Sequence, residues 1–173
     1  MTPEFSRSVR IDAIGSAPQR HALEALTLER GALAKRFDLV SLNTLKADVT
    51  LFAEGGHFRA QGTFSAALAQ ACVVSGMPVS SQIAGPFDIR FVAAQIGEGD
   101  DVELDADDCD EMTHDGHGID LGEAVAQTLA LMLDPFPRAR DADAYLQASG
   151  LVDTGPTGPF AALKGLKGQL ESK

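Results

Sequence analysis

The chain has 173 residues, 45% of them hydrophobic and 23% charged, a balance that excludes wholesale disorder and suits one globular domain. Tryptophan is absent and Tyr145 is the single tyrosine, which argues against a platform for stacking bases. The net charge of −11 is unevenly spread: no Lys or Arg lies between Arg90 and Arg138, a stretch that holds 13 of the 25 acids and leaves the remainder at +2.

The start, MTPEFSRSVR, has no apolar signal core, and no run approaches the length of a membrane span. A cytoplasmic chain is expected, with Cys72 and Cys109 as thiols. Phe5 to Asp12 predicts a strand with Phe5, Val9 and Ile11 on one face. After a turn at Gly15 to Pro18, Arg20 to Leu26 predicts a second strand. Thr27 is then the expected N-cap of a helix over Leu28 to Phe37, because its hydroxyl can satisfy an orphan amide. Leu33 and Phe37 share a face of that helix.

Thr44 to Ala53 alternates, with Leu45, Ala47, Val49 and Leu51 opposite Lys46, Asp48 and Thr50. After Glu54-Gly55-Gly56, His57 to Cys72 alternates again, with Phe58, Ala60, Phe64, Ala66, Leu68 and Cys72 at even positions. The two runs predict a β-hairpin with one wet face. Val79 to Phe91 predicts a further strand, and Gly85-Pro86 within it points to an edge position or a bulge.

The acidic stretch follows as an expected loop over residues 94–118, with Glu98 to Gly116 the most mobile and Val102 and Leu104 the place for a short edge strand. Asp120 opens the strongest helix: an acid at N-cap with Glu123 three residues on fits a capping box. Leu121, Val125, Leu129 and Met132 fall on one face, and further alanines and leucines widen the apolar surface nearly all round. Asp134-Pro135 stops the helix. Asp141 to Ser149 predicts a short helix, Gly155 to Pro159 a linker, and Phe160 to Leu170 a weakly amphipathic tail.

These elements predict an α+β fold: a mostly antiparallel sheet packed by helices, with an open barrel as the alternative curvature. The single domain is expected over residues 1–153, with a flexible tail over 154–173.

Chemistry-bearing residues are sparse. His114 and His117, with Cys109 and Cys72, are weak candidates for a metal site, since zinc needs reciprocal ligand pairs at tight spacing. The aspartates from Asp105 onward resemble a calcium loop but place Cys109 at the fifth position and Asp110 where glycine is required. Cys72 lies on the apolar parity of its strand with no cation beside it in sequence, so an ordinary buried thiol is expected. No phosphate loop, dinucleotide fingerprint or serine-hydrolase elbow is present. No cofactor, small-molecule substrate or catalytic residue is expected. The carboxylates Asp100, Asp101, Glu103, Asp105, Asp107, Asp108, Asp110 and Glu111 form an arm suited to a basic protein partner, while RNA should bind weakly because the arm repels phosphate.

Several segments together resemble one family. They are Phe5-Ser-Arg-Ser-Val-Arg10, Gln70-Ala-Cys-Val-Val-Ser-Gly-Met-Pro-Val79, the run from Gly118 through Ile-Asp120-Leu121-Gly-Glu to Pro135-Phe-Pro137, and the tail Gly158-Pro-Phe-Ala-Ala-Leu-Lys164. The pattern is similar to the YceD family, bacterial proteins linked to accumulation of large-subunit ribosomal RNA. Its first and last segments look most like the alphaproteobacterial branch. The resemblance implies a non-catalytic accessory factor in ribosome biogenesis with a basic partner such as a ribosomal protein. A metal-binding or metal-sensing module is the alternative. Many relatives carry Cys-x-x-Cys at the hairpin exit. Here Cys72 matches the first cysteine but Ser75 stands at the second.

Overall fold

The computed structural model describes residues 3–94 and 110–150. In chain order it contains β1 (Ser8–Arg10), a 3-10 turn (Ile11–Ala13), β2 (Gln19–Glu24), α1 (Thr27–Arg36), β3 (Ser41–Glu54), β4 (His57–Ala71), β5 (Pro78–Ala93), β6 (Asp110–His114), β7 (Gly118–Asp120), α2 (Leu121–Leu131) and α3 (Ala142–Ala148). The fold is α+β. Strands β2 to β6 make one sheet in sequence order, while β1 pairs with β7 in a separate two-stranded sheet. Among the described residues the sheet does not close into a barrel.

The β3–β4 hairpin forms as its alternation dictates. Gly55 and Gly56 both have positive φ, 58° and 88°, the conformation a two-residue hairpin turn of matching twist requires. From Thr44 to Glu54 the pairing is regular, Leu45 opposite Ala66 and Leu51 opposite Ala60. The register shifts between Leu42 and Thr44. The extra residue Asn43 lets Leu42 and Leu45, three apart, both be buried. Gly62 is needed where the two long strands approach closely: a Cβ there would sit 1.9 Å from the Asp48 carbonyl oxygen.

The alternate residues of β3, β4 and β5 join α2 in one hydrophobic cluster. From α2, Leu121, Val125 and Leu129 are fully buried, as are Ala124 and Ala126. The apolar surface does not run all round, since Leu131 is 78% exposed. Gly85 of β5 leaves room for Met132, whose Cε would lie 3.0 Å from a Cβ at that position. The β6 strand pairs only with Ile89–Ala93 of β5. Pro86 therefore lies beyond that pairing, where a residue without an N–H is tolerated.

Three expectations need correction. The strand expected from Phe5 to Asp12 shrinks to Ser8–Arg10, and a 3-10 turn follows at once. Thr27 is the first residue of α1, not its cap; the cap is Leu26, whose amide donates to Glu29 Oε2 at 2.7 Å. Asp110–His114 is a strand rather than part of a loop, and it runs parallel to β5. Parallel pairing at this edge required no contiguous signal, because the partner lies some twenty residues upstream. The expected edge strand at Val102 and Leu104, the linker at Gly155 and the tail from Phe160 lie outside the described residues.

By contact the chain separates into two units. One comprises residues 1–70 and 80–135, the other residues 71–79 and 136–173. The first holds the sheet core and α2. The second, in its described part, holds the turn from Cys72 to Met77 and α3.

Candidate functional site

Two of the segments that carry the family resemblance meet in the first unit. The Asp120 carboxylate caps α2: its Oδ1 accepts from the amides of Gly122 at 3.0 Å and Glu123 at 3.1 Å. The same carboxylate accepts from the Arg7 amide at 2.8 Å and the Ser6 hydroxyl at 2.5 Å. Leu121 donates its amide to the Arg7 carbonyl. Gly122 is required by this approach, for a Cβ there would fall 2.4 Å from the Phe5 carbonyl oxygen. Phe5-Ser-Arg and Asp-Leu-Gly-Glu are thus the two halves of one packed junction.

The reciprocal half of the expected capping box does not form. Glu123 instead takes both guanidinium nitrogens of Arg36, at 2.7 and 2.8 Å, and accepts from Gln127. Arg36 also reaches Glu4 at 2.9 Å. Arg7 makes the equivalent two-pronged pair with Glu29 at 2.8 and 2.9 Å. Each arginine holds its carboxylate below the ordinary range, chiefly by hydrogen bonding, and such forked pairs are the stronger kind. None of these ion pairs could be read from sequence, because their members lie 22, 32 and 87 residues apart.

Next to this junction, β6 and α2 border an open groove of about 590 Å³. Phe91, Met112 and Ile119 supply its apolar lining. Glu111, Asp115, Asp120 and Glu123 supply carboxylates, and among the described residues no Lys or Arg lines it. Glu111 is paired across the sheet with Arg90 at 3.0 Å. Asp115 accepts from the amides of His117 at 2.8 Å and Gly118 at 3.4 Å. Those amides, His117 first, lower its carboxyl pKa. Of the arm residues, Asp110 and Glu111 begin β6; Asp100, Asp101, Glu103, Asp105, Asp107 and Asp108 lie outside the described residues.

Among the described residues no group of three His, Cys, Asp or Glu side chains could hold an ion. His114 Nδ1 accepts from the Gly116 amide, and its ring meets Phe58 edge-on at 5.5 Å between centroids. Cys109 lies outside the described residues. Cys72, in the second unit, is 3% exposed. Its sulfur accepts from the amides of Ala139 at 3.3 Å, Val74 at 3.4 Å and Ser75 at 3.5 Å. Donation from the Ala139 amide first, then from the Ser75 hydroxyl and amide, brings the thiol down to about 7. Sequence reasoning sought a neighbouring cation and missed this cause, because its leading donor is a backbone amide 67 residues away. With Ser75 at the second position of the turn, the donor set does not fit a structural zinc site. Pro135 stands after the end of α2, where Gln70 donates to the carbonyl of the preceding Asp134.

Residues 60–167 match the family described as Large ribosomal RNA subunit accumulation protein YceD. The chain belongs to the YceD family. No curated protein and no solved structure matches it. The family is described by the accumulation of an RNA rather than by a reaction. The matched span covers the hairpin exit, β6 and α2, but not Phe5-Ser-Arg, which joins the matched part through the junction at Asp120. Among the described residues no helix is long and apolar enough to cross a membrane.

Proposed function

We propose that this YceD protein is a non-catalytic accessory factor in ribosome biogenesis. It acts in the cytoplasm and supports accumulation of large-subunit ribosomal RNA through contacts with basic protein, ribosomal proteins being the leading class. The supporting observation is the placement of charge. From Asp110 to Pro135 the chain carries Asp110, Glu111, Asp115, Asp120, Glu123 and Asp134 and no Lys or Arg. The acids from Asp100 to Asp108 extend that charge in sequence. A surface of this sign repels a phosphate backbone and attracts the lysine- and arginine-rich proteins that accompany ribosomal RNA. Such attraction speeds encounter more than it tightens the final complex. It weakens as salt rises, since exposed charges are screened over about 8 Å at physiological ionic strength.

The test is made in cells lacking the protein. Large-subunit ribosomal RNA should fall, and the wild-type gene should restore it. A variant with Asp105, Asp107, Asp108 and Asp110 changed to Asn should restore it poorly. Purified, that variant should associate more slowly with a basic ribosomal protein at unchanged Tm. Full restoration by the neutralised variant, or tight binding of naked RNA by wild type with a steep salt slope, would overturn the reading.

A further inference from the structure

Strand β6 is the terminal strand of its sheet, so one side of its backbone has no strand beside it among the described residues. Which groups face that side follows from one hydrogen bond. Ala94 donates its amide to the His114 carbonyl at 3.1 Å, so the backbone groups of His114 point toward β5. The N–H and C=O of one residue in a strand point to the same side, and successive residues alternate. Asp110, Met112 and His114 therefore serve the ladder with β5, while Glu111 and Thr113 direct their amides and carbonyls outward.

An open edge of this kind is a template for another strand, and proteins commonly blunt it with charge. Here the charge selects rather than merely blunts. Two copies of β6 placed side by side would bring Asp110 and Glu111 of each against the other, which disfavours a second copy of this chain. The opposite edge of the sheet, β2, carries both signs, Arg20 with Glu24, the latter paired to Lys46 at 3.1 Å. Only the β6 edge is acidic without relief from its own strand, and it borders the groove where four carboxylates surround Phe91, Met112 and Ile119.

We infer that the outward edge of β6 receives an extended, lysine- or arginine-rich segment of the partner protein, which adds to the sheet as a further strand. This rests on the proposed reading that the partner is a basic protein, and it specifies how that partner is held. The backbone of Glu111 and Thr113 supplies hydrogen bonds that are indifferent to sequence. The pleat sends alternate side chains of the added strand to opposite faces. Those on the α2 face enter the groove, where a long basic side chain can lay its methylenes on the apolar lining and its charge by Asp115.

The experiment uses the full chain and a short fluorescent peptide alternating lysine and valine. Wild type should bind it with an affinity that falls as salt rises, and the amides of Glu111 and Thr113 should gain protection from exchange. Thr113→Pro removes an outward N–H at an edge, where proline is tolerated, and should weaken binding about tenfold or more at unchanged Tm. The same peptide with alternate backbone amides N-methylated should lose binding to the unaltered protein, which keeps the test decisive if Thr113→Pro fails to fold. Glu111→Gln should weaken binding only about two- to fivefold, as for a single exposed charge. A peptide alternating glutamate and valine, and a single-stranded RNA oligomer, should not bind. If the lysine peptide binds equally well after N-methylation, the partner is held by charge alone: strand addition is overturned and the reading of a basic partner stands. If neither this peptide nor basic ribosomal proteins bind, or if the RNA binds in their place, both are overturned together.

Discussion

The junction at the start of α2 and the β6 strand lie side by side in the same unit and are both rich in acids, yet they treat polar groups in opposite ways. At the junction Asp120 serves four donors, Glu123 two partners and Glu29 a forked arginine. On β6 the backbone of two residues faces away from the sheet, and Glu111 is paired with Arg90. The difference teaches that the residues carrying the resemblance at this junction are those that build the fold. What the fold leaves unsatisfied is the edge beside them. A motif can mark where the chain is held together rather than where it acts.

The comparison breaks first in the core. Leu129 is fully buried under the sheet; Leu129→Ala should cost about 2–5 kcal/mol, measured by urea unfolding. A loss under about 0.5 kcal/mol, the range of ordinary surface changes, would mean that α2 does not carry the core. At the junction, Asp120→Ala should cost about 2 kcal/mol, the upper end for an N-cap, because the Arg7 amide and the Ser6 hydroxyl lose their acceptor along with the helix amides. If stability is unchanged, the junction is not the structural half of the pair.

Cys72 supplies a third case, a group satisfied by backbone amides together with the Ser75 side chain. With its thiol brought down to about 7, thiolate absorbance in a Cys109→Ser background should rise with a midpoint near that pH. Because the folded pKa is depressed, the thiolate stabilises the fold fully above the unfolded value of about 8.5 and loses that contribution as pH falls through about 7. A midpoint near the unfolded value would show that the amides do not engage the sulfur. The smallest effect belongs to the edge: Glu111→Gln should change stability by no more than about 0.5 kcal/mol while slowing association with a basic partner. A large loss of stability there would make β6 structural and erase the contrast.

Legibility in the sequence followed the range of the interaction. The β3–β4 hairpin was readable because side-chain alternation and the Gly55-Gly56 turn are local signals that agree. Alternation failed before Thr44 because the bulge at Asn43 resets the parity. The N-cap at Asp120 was readable from spacing, but the partner of Glu123 was not, since Arg36 arrives from another helix. β6 was hidden for a different reason. Aspartate and glutamate are poor strand formers, so Asp110-Glu111 reads as loop until β5 is there to pair with it. Of the candidate site, the sign of the charge was evident in the sequence, whereas the open backbone edge was not, because it exists only once the sheet is ordered.

The pairing of β1 with β7 joins Ser8 to Asp120 and Arg10 to Gly118, and so ties the first dozen residues to a segment more than a hundred residues later. Strands β2 to β5 pair with their neighbours in sequence and can assemble as they leave the ribosome, but β1 has no partner until β7 has been made. Contacts of such long separation form late, after the entropy of closing the intervening loop has been met. A nascent chain arrested before α2 would therefore hold its sheet with one face uncovered and its N-terminus loose. Synthesis of α2 is the event that seals both.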